Sequence, residues 1–247
     1  MLPQHVRDNL DALPDAGLVL DVGGWARADP RADWVIDIGS YETRNYYAHR
    51  LGEALPTTAE RFSADMWVQM DICVTPWPFE DAMFDFAVCS HTLEDVRDPV
   101  GVCQEMMRVA KAGYIETPAA AIEVTRGIQS PHWCGWQHHR WMVEQSDGGL
   151  DFFAKPHPIH SPLWPAIRSP RFLKPNAAEP LQFEWSGTFP VREKILVDGE
   201  EIDQELRRVV ASSSRADPVG AVMRLGRKRA STIYRGARRL LAPLRNA

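Results

Sequence analysis

Short apolar runs that end in polar side chains recur through the first half of the chain. LVLDVGG (18–24), ADWVIDIG (32–39), MWVQMDI (66–72), FDFAVCS (84–90) and GYIETP (113–118) are five of them. Each is too short for a helix and is bounded by turn residues, so each predicts a strand of a parallel sheet covered on both faces. After the fourth run, Val100, Cys103, Met106, Met107 and Ala110 recur at helical spacing before Gly113. That spacing predicts a crossover helix with a glycine stop. Asp21, Asp37 and Asp71 each stand near the C-terminal end of a run, which sets them along one edge of the sheet. Ligands of open α/β sheets bind at that edge.

The pattern then changes. HHRWMVEQSDGGLDFFAK (138–155) has two alternating segments around SDGG, a β-hairpin signal. From Pro156 to Pro180 prolines are frequent and the aromatics are scattered, so an irregular wrap is expected. QFEWSGTFPVREKILV (182–197) again has strand character. Between 219 and 244 an apolar stripe runs from Val219 to Leu244 at helical spacing, interrupted by Gly220, Gly226 and Gly236. The expected division is a sheet domain over 1–155, an accessory proline-rich and strand segment over 156–206, and a basic helical tail over 207–247.

Charge sharpens that division. The chain carries −5 overall, but the residues from Arg207 onward include 11 basic side chains and one acid, Asp217. The first 206 residues therefore carry −15 and the last 41 carry +10. An acidic body is no platform for nucleic acid, and single arginines without an aromatic platform argue against base recognition by the tail. Two roles stay open for the tail: peripheral contact with an anionic membrane surface, or docking on the acidic body or an oligomer partner. No apolar run approaches the roughly 18 residues of a membrane span, and the N-terminal segment lacks the pattern of a secretory signal. Cys73, Cys89, Cys103 and Cys134 share no metal-type spacing, so free thiols in a reducing cytoplasm are expected, with peripheral contact at the inner membrane surface through the tail.

The ordered motifs VLDVGG, Asp37, DI followed by PWPFEDAMFD, SHTLEDVRDP and EMMRVAKAGYIETP resemble the class I S-adenosylmethionine-dependent methyltransferases over roughly residues 17–118. That resemblance implies an α/β, Rossmann-like fold, mostly parallel, with a C-terminal antiparallel hairpin. It implies S-adenosyl-L-methionine as cofactor, held by Asp21, Gly23, Gly24, Asp37, Asp71, Ile72, Ser90 and His91. Within it, Asp37 would accept the ribose hydroxyls. Asp71 and the Ile72 backbone would read the adenine edge, with an apolar wall from Ile72 and Trp77. Asp21 would orient the glycine turn or approach the cofactor's amino group. The chain departs from the pattern between Gly24 and Asp33, where a full helix is usual and only a loop or single turn fits. Arg27 stands where another glycine is usual, and Arg27 or Arg44 would have to replace the helix N-terminus as partner of the cofactor carboxylate.

Methyl transfer is an in-line displacement that depends mainly on positioning, and needs a base only for a protonated acceptor. His91, Glu116, His138 and His139 are the candidate catalytic side chains. For His91, cofactor contact, catalysis and structural hydrogen bonding stay open; for Glu116 the alternative is a buried acid that orients Arg140 or the HHRW segment. Five histidines fall between His132 and His160, but none forms an HxH or HxxxH pair with a nearby acid, so no metal is expected. If 138 and 139 lie in a strand, their side chains alternate and at most one points inward. Trp133, Trp136 and Trp141 are either core or stacking faces of a polar pocket. The expected activity is methyl transfer to a small-molecule or glycan-like acceptor, at oxygen. The rival reading is a catalytically silent binding module with the same fold, attached through its tail.

Overall fold

The computed structural model describes residues 2–14, 16–52, 58–161, 164 and 166–215. In chain order the elements are α1 (Gln4–Asp11), β1 (Val19–Val22), β2 (Trp34–Asp37), α2 (Tyr46–Leu51), β3 (Trp67–Gln69), β4 (Phe86–Ser90) and α3 (Pro99–Val109). They continue with β5 (Ala112–Thr117), α4 (Ala120–Glu123), β6 (Trp141–Ser146), β7 (Gly149–Ala154), β8 (Leu181–Ser186), β9 (Val191–Glu193) and α5 (Gly199–Ser213). Contacts group them into two interleaved units: 1–119 with 138–155 and 179–196, and 120–137 with 156–178 and the chain from 197 onward. The expected boundaries at 155 and 206 followed the chain, whereas the contacts return to the first unit at 179.

The first unit is built on a six-stranded sheet of order β3-β2-β1-β4-β5-β8. The first five strands are parallel, and β8 pairs antiparallel with β5 at one edge. All five runs expected to be strands are in this sheet. Alternate residues of each run feed opposite cores. Leu20, Val22, Ile36, Ala87, Cys89 and Ile115 pack with Val102, Cys103, Met106 and Val109 of α3. Val19, Val35, Phe86, Val88 and Tyr114 pack on the other side with Val6 and Leu10 of α1. Burial on both faces is why the runs read as continuously apolar. The Asp98 carboxylate caps α3 by accepting the Gly101 N–H at 2.8 Å, with Pro99 in the first turn, and the helix ends at Val109 without the expected glycine stop, because Gly113 lies inside β5.

The hairpin forms as expected, with Asp147 (φ +49°) and Gly148 (φ +74°) supplying the left-handed turn. It does not supply the antiparallel part of the main sheet. β6 and β7 form a separate small sheet with β9, which runs parallel to β7. The antiparallel edge strand of the main sheet is β8. Its alternation explains the choice: Phe183 and Trp185 are buried and Gln182 and Glu184 exposed, so it covers one side of the core. Trp185 lies opposite Gly113 of β5, and a Cβ at Gly113 would sit 2.8 Å from the indole and overlap the Ala87 carbonyl.

In the second unit, the described residues of 156–178 form only two single 3-10 turns, His157–His160 and Pro170–Phe172, each with a proline in its first turn. The Arg126 guanidinium ties the loops together by donating to the carbonyls of His132 at 3.2 Å and Ser161 at 2.6 Å. The Asp198 carboxylate caps α5 by accepting the N–H groups of Glu200 and Glu201, and Leu206 and Val209 are buried. Arg207 and Arg208, expected to begin the basic tail, pair within α5 with Asp203 and Glu205. The stripe at 219–244 lies outside the described residues. Among the described residues no helix is long and apolar enough to cross a membrane.

Gly113→Val forces a side chain against a backbone carbonyl and a packed indole. Overpacking of this kind costs about 1–3 kcal/mol, so urea unfolding should show a lower midpoint with an unchanged slope.

Candidate functional site

The β1–β2 connection has no helix, and carboxylates hold it instead. Gly23 follows β1 with φ +81°, and its N–H donates to the Ile36 carbonyl at 2.9 Å. Asp21 accepts the Asp29 N–H at 2.7 Å, and its side chain fills the space a Cβ on Gly24 would need. Burial pushes the Asp21 carboxyl up to about 8, with the charges of Asp29 and Asp37 adding to the rise against the Asp29 hydrogen bond. Asp21 is therefore largely neutral at pH 7, and its shown role is to hold the turn. Asp37, at the end of β2, accepts the Trp25 N–H at 3.0 Å and the Gly39 N–H at 2.6 Å. Burial raises its pKa, opposed by the backbone donors of Gly39, Trp25 and Ile38.

Three residues here gave no sequence signal. A Cβ on Gly23 would overlap the Thr92 side chain, so the close approach that glycine allows at this point is made by Thr92. The Trp25 indole lies where a Cβ on Gly39 would fall, stacks on Tyr46 at 4.8 Å between centroids, and donates to Thr43 Oγ1 at 2.9 Å. Ile38, directly after Asp37, is 69% exposed. A large apolar side chain left in solvent at the ligand edge is informative where an exposed lysine would not be. Of the arginines expected to replace the helix terminus, Arg44 is committed to Glu60 at 2.9 Å and lies over the Tyr41 ring; Arg27 is exposed in the loop.

Beyond β3, Asp71 accepts the Cys73 N–H at 2.9 Å and pairs with Arg97. Arg97 holds the Asp71 carboxyl below its usual range, with the Cys73 N–H adding to the effect. Ile72 is buried in the core, and its carbonyl accepts the Trp77 indole N–H at 2.8 Å. Trp77 is itself 2% exposed, so it is core and not an apolar wall facing a ligand.

The densest polar cluster lies where β4 and β5 end. His91 follows Ser90 with φ +54°, a left-handed conformation costly for a residue with a Cβ and one that recurs at functional sites. Its N–H is fixed by the Glu116 carbonyl at 2.8 Å. Its Nε2 lies 3.1 Å from Glu116 Oε1, and its Nδ1 lies 3.6 Å from Glu94 Oε1. Glu116 also accepts from Tyr114 Oη at 2.6 Å and from Ser90 Oγ at 3.3 Å. Hydrogen bonds to Glu116 and Glu94 raise the His91 pKa to about 9 despite partial burial. Burial alone would raise Glu116, but the bonds from His91 and Tyr114 outweigh it and the net shift is downward. His91 is thus an imidazolium at pH 7, aligned by a carboxylate, with half its side chain in solvent. Glu94 was not singled out from sequence; it is 2% exposed, and its Oε2 has no hydrogen-bond partner among the described residues.

The HHRW segment is pinned to the β4 loop. Arg140 N and Trp141 N donate to the Glu94 carbonyl at 2.7 and 3.1 Å, and Trp141 Nε1 donates to the Val96 carbonyl at 2.8 Å. Glu116 does not orient Arg140 through any of these bonds; the Glu94 main chain anchors it. His138 and His139 precede β6 and do not lie in it, so strand alternation does not separate them: their rings meet edge to face at 4.6 Å. Asp95, unremarkable in the sequence, joins them, and ligand atoms of the three lie within 4.8 Å of one another. Trp141 packs against the core of the first unit, whereas Trp133 and Trp136 belong to the second and are exposed.

The His91 shift sets a pH window. Its folded pKa lies above the unfolded value of 6.5, so the stabilisation it brings is full below about pH 6.5 and is lost as pH rises through about 9. An NMR titration of the His91 ring should give a midpoint near 9, and Glu116→Gln should move it down toward 6.5. An unmoved midpoint in that variant would show that Glu116 does not hold the charge.

Residues 42–115 match the family model described as "Methyltransferase domain". The match takes in Asp71, Ile72, Ser90 and His91 but begins after Asp21, Gly23, Gly24 and Asp37. Comparison with curated protein sequences gave no match. Among solved structures, the chain is similar to a SAM-dependent methyltransferase from Aquifex aeolicus, at 19% identity and TM-score 0.33, over 48% of this chain and 64% of that one. It is also similar to phosphoethanolamine N-methyltransferase 2 from Haemonchus contortus, solved with S-adenosyl-L-methionine, at 13% identity and TM-score 0.35, over 47% of this chain and 27% of that one. It thus spans less than two thirds of either. The family match and the strand order agree on a Rossmann-like methyltransferase fold.

Proposed function

We propose that the protein transfers a methyl group from S-adenosyl-L-methionine to an oxygen of a small or glycan-like acceptor. The observation that carries the reading is the His91–Glu116 pair at the C-terminal edge of β4 and β5, with His91 inside the segment that matches the methyltransferase family and Glu116 directly after its end. An oriented, half-exposed cation at a sheet's ligand edge is a positioning device.

The chain's residues fit the cofactor. A carboxylate has about four lone-pair sites; Asp37 faces the backbone donors of Trp25, Gly39 and Ile38, which leaves it capacity for one ribose hydroxyl. Ile38 beside it offers an apolar face to a purine, and Asp71 lies at the end of the neighbouring strand. When bound, the cofactor supplies an electrophilic methyl group on a sulfonium. His91, charged at pH 7, donates to an anionic or oxygen partner and does not take a proton; Glu116 holds its ring, with Ser90 behind it. His138 and His139 take the acceptor. The basic segment after Arg215 is proposed as a surface contact, to an anionic membrane or a partner protein.

One feature favours the silent-module reading. Thr92 fills the space at Gly23 and Trp25 lies over Gly39, two points where a cofactor would approach the backbone. Calorimetric titration with S-adenosylhomocysteine decides between the readings. The methyltransferase reading predicts binding that Asp37→Asn weakens at least about tenfold, the 1.4 kcal/mol scale of a lost hydrogen bond. No heat with folded wild-type protein sinks the cofactor assignment. Binding without methylation across an acceptor panel favours the silent module.

A further inference from the structure

We propose that Asp95, His138 and His139 bind one divalent transition-metal cation of the zinc, cobalt or nickel kind. Two imidazoles and a carboxylate converge there, and their ligand atoms lie within 4.8 Å of one another. Imidazole suits these ions, while magnesium and calcium take oxygen ligands.

The distances have a specific meaning. Asp95 Oδ2 and His138 Nε2 are 3.7 Å apart, beyond hydrogen-bond range. Ligands held about 2.1 Å from one metal ion are separated by about 3.4 Å in a tetrahedron. The pair stands at ion-pair distance, and that separation also accommodates an ion held between the two atoms.

The backbone holds the three ligands in place. Asp95 lies in a tight turn, with its N–H on the Thr92 carbonyl at 3.0 Å. The residues on either side of it, Glu94 and Val96, are the two whose carbonyls receive Arg140 N, Trp141 N and Trp141 Nε1. The turn carrying the carboxylate is thereby fastened to the two residues directly after the histidines. Lys155 N completes the brace by donating to the Arg140 carbonyl at 2.8 Å. Such outer bonds are what orient ligands in metal sites. Sequence spacing did not disclose the site because the carboxylate precedes the histidines by more than forty residues, on another loop.

Three protein ligands leave coordination positions open. Placing an acceptor's oxygens on them rests on the methyl-transfer reading: the ion would lower an acceptor hydroxyl's pKa, removing the need for a protein base. The cation site itself does not depend on that reading, and it is tested with metal alone.

Chelator-treated full-length protein is titrated with Co2+ and followed by visible absorption, then with Zn2+ by competition. The expected result is one Co2+ per chain with d–d bands and no thiolate charge-transfer absorption, displaced by Zn2+. Asp95→Asn and His138→Ala should each weaken binding at least about 100-fold, more than outer-shell changes usually do. His138 is exposed, so its variant should keep the wild-type circular dichroism even if a His139 variant does not fold. Lack of binding, binding unchanged in both variants, or cobalt–thiolate absorption would each overturn the proposal. Because no S-adenosyl compound is present, failure here leaves the calorimetric test untouched.

Discussion

A buried carboxyl group accepting loop N–H groups is the constraint on which the ligand edge depends. Between β1 and β2 there is no helix to cover the sheet or to aim backbone donors at a ligand. Asp21 and Asp37 take over the first of those tasks: each sits at the end of a strand and ties down loop backbone, to Asp29 in one case and to Trp25 and Gly39 in the other. Desolvation of such a group is expensive unless its hydrogen bonds are made. The loop therefore cannot drift from its carboxylates without leaving them buried and unbonded. Two of the three acids that resemblance assigns to the cofactor, Asp21 and Asp37, thus have structural work already.

The two halves of the edge differ in how they are built. At β1 and β2 the acids face inward and look after the backbone. At β4 and β5 the acids serve another side chain: Glu116 and Glu94 together keep His91 charged in a strained backbone conformation. Strain of this sort persists only where surrounding bonds over-determine it, and the Glu116 main-chain bond to His91 is one such restraint. The family match falls over the second half, from 42 to 115, and leaves the first outside it.

The fold was largely legible because both-face burial gives each central strand an unmistakable run, and because Asp98-Pro99 marks the start of α3 in its own residues. Asp21, Asp37 and Asp71 do line one edge, since strand ends can be read locally. What could not be read was any pairing set by tertiary placement. β8 alternates like any half-buried strand, so nothing in QFEWS says that it pairs with β5 and not with the hairpin. Thr92 and Asp95 sit in a turn whose neighbours come from elsewhere in the chain. His138 and His139 were assigned strand alternation that their actual position before β6 does not impose. Trp77, expected as an apolar wall toward a ligand, is buried instead, because the Ile72 carbonyl accepts its indole N–H.

The late arrival of β8 has a bearing on how the molecule is made. The outer edge of β5 ends at Thr117, while its partner begins at Leu181, after the whole hairpin and much of the second unit. On a growing chain, β5 is complete long before anything can pair with its open side, and an unpaired strand edge is a template for other chains. Gly113 sharpens the exposure, since the space beside it is taken by the Trp185 indole together with the Ala87 carbonyl. Shortening the chain ahead of β8 would therefore yield a nascent sheet with an uncapped edge, so the integrity of the parallel half depends on a strand encoded well beyond it.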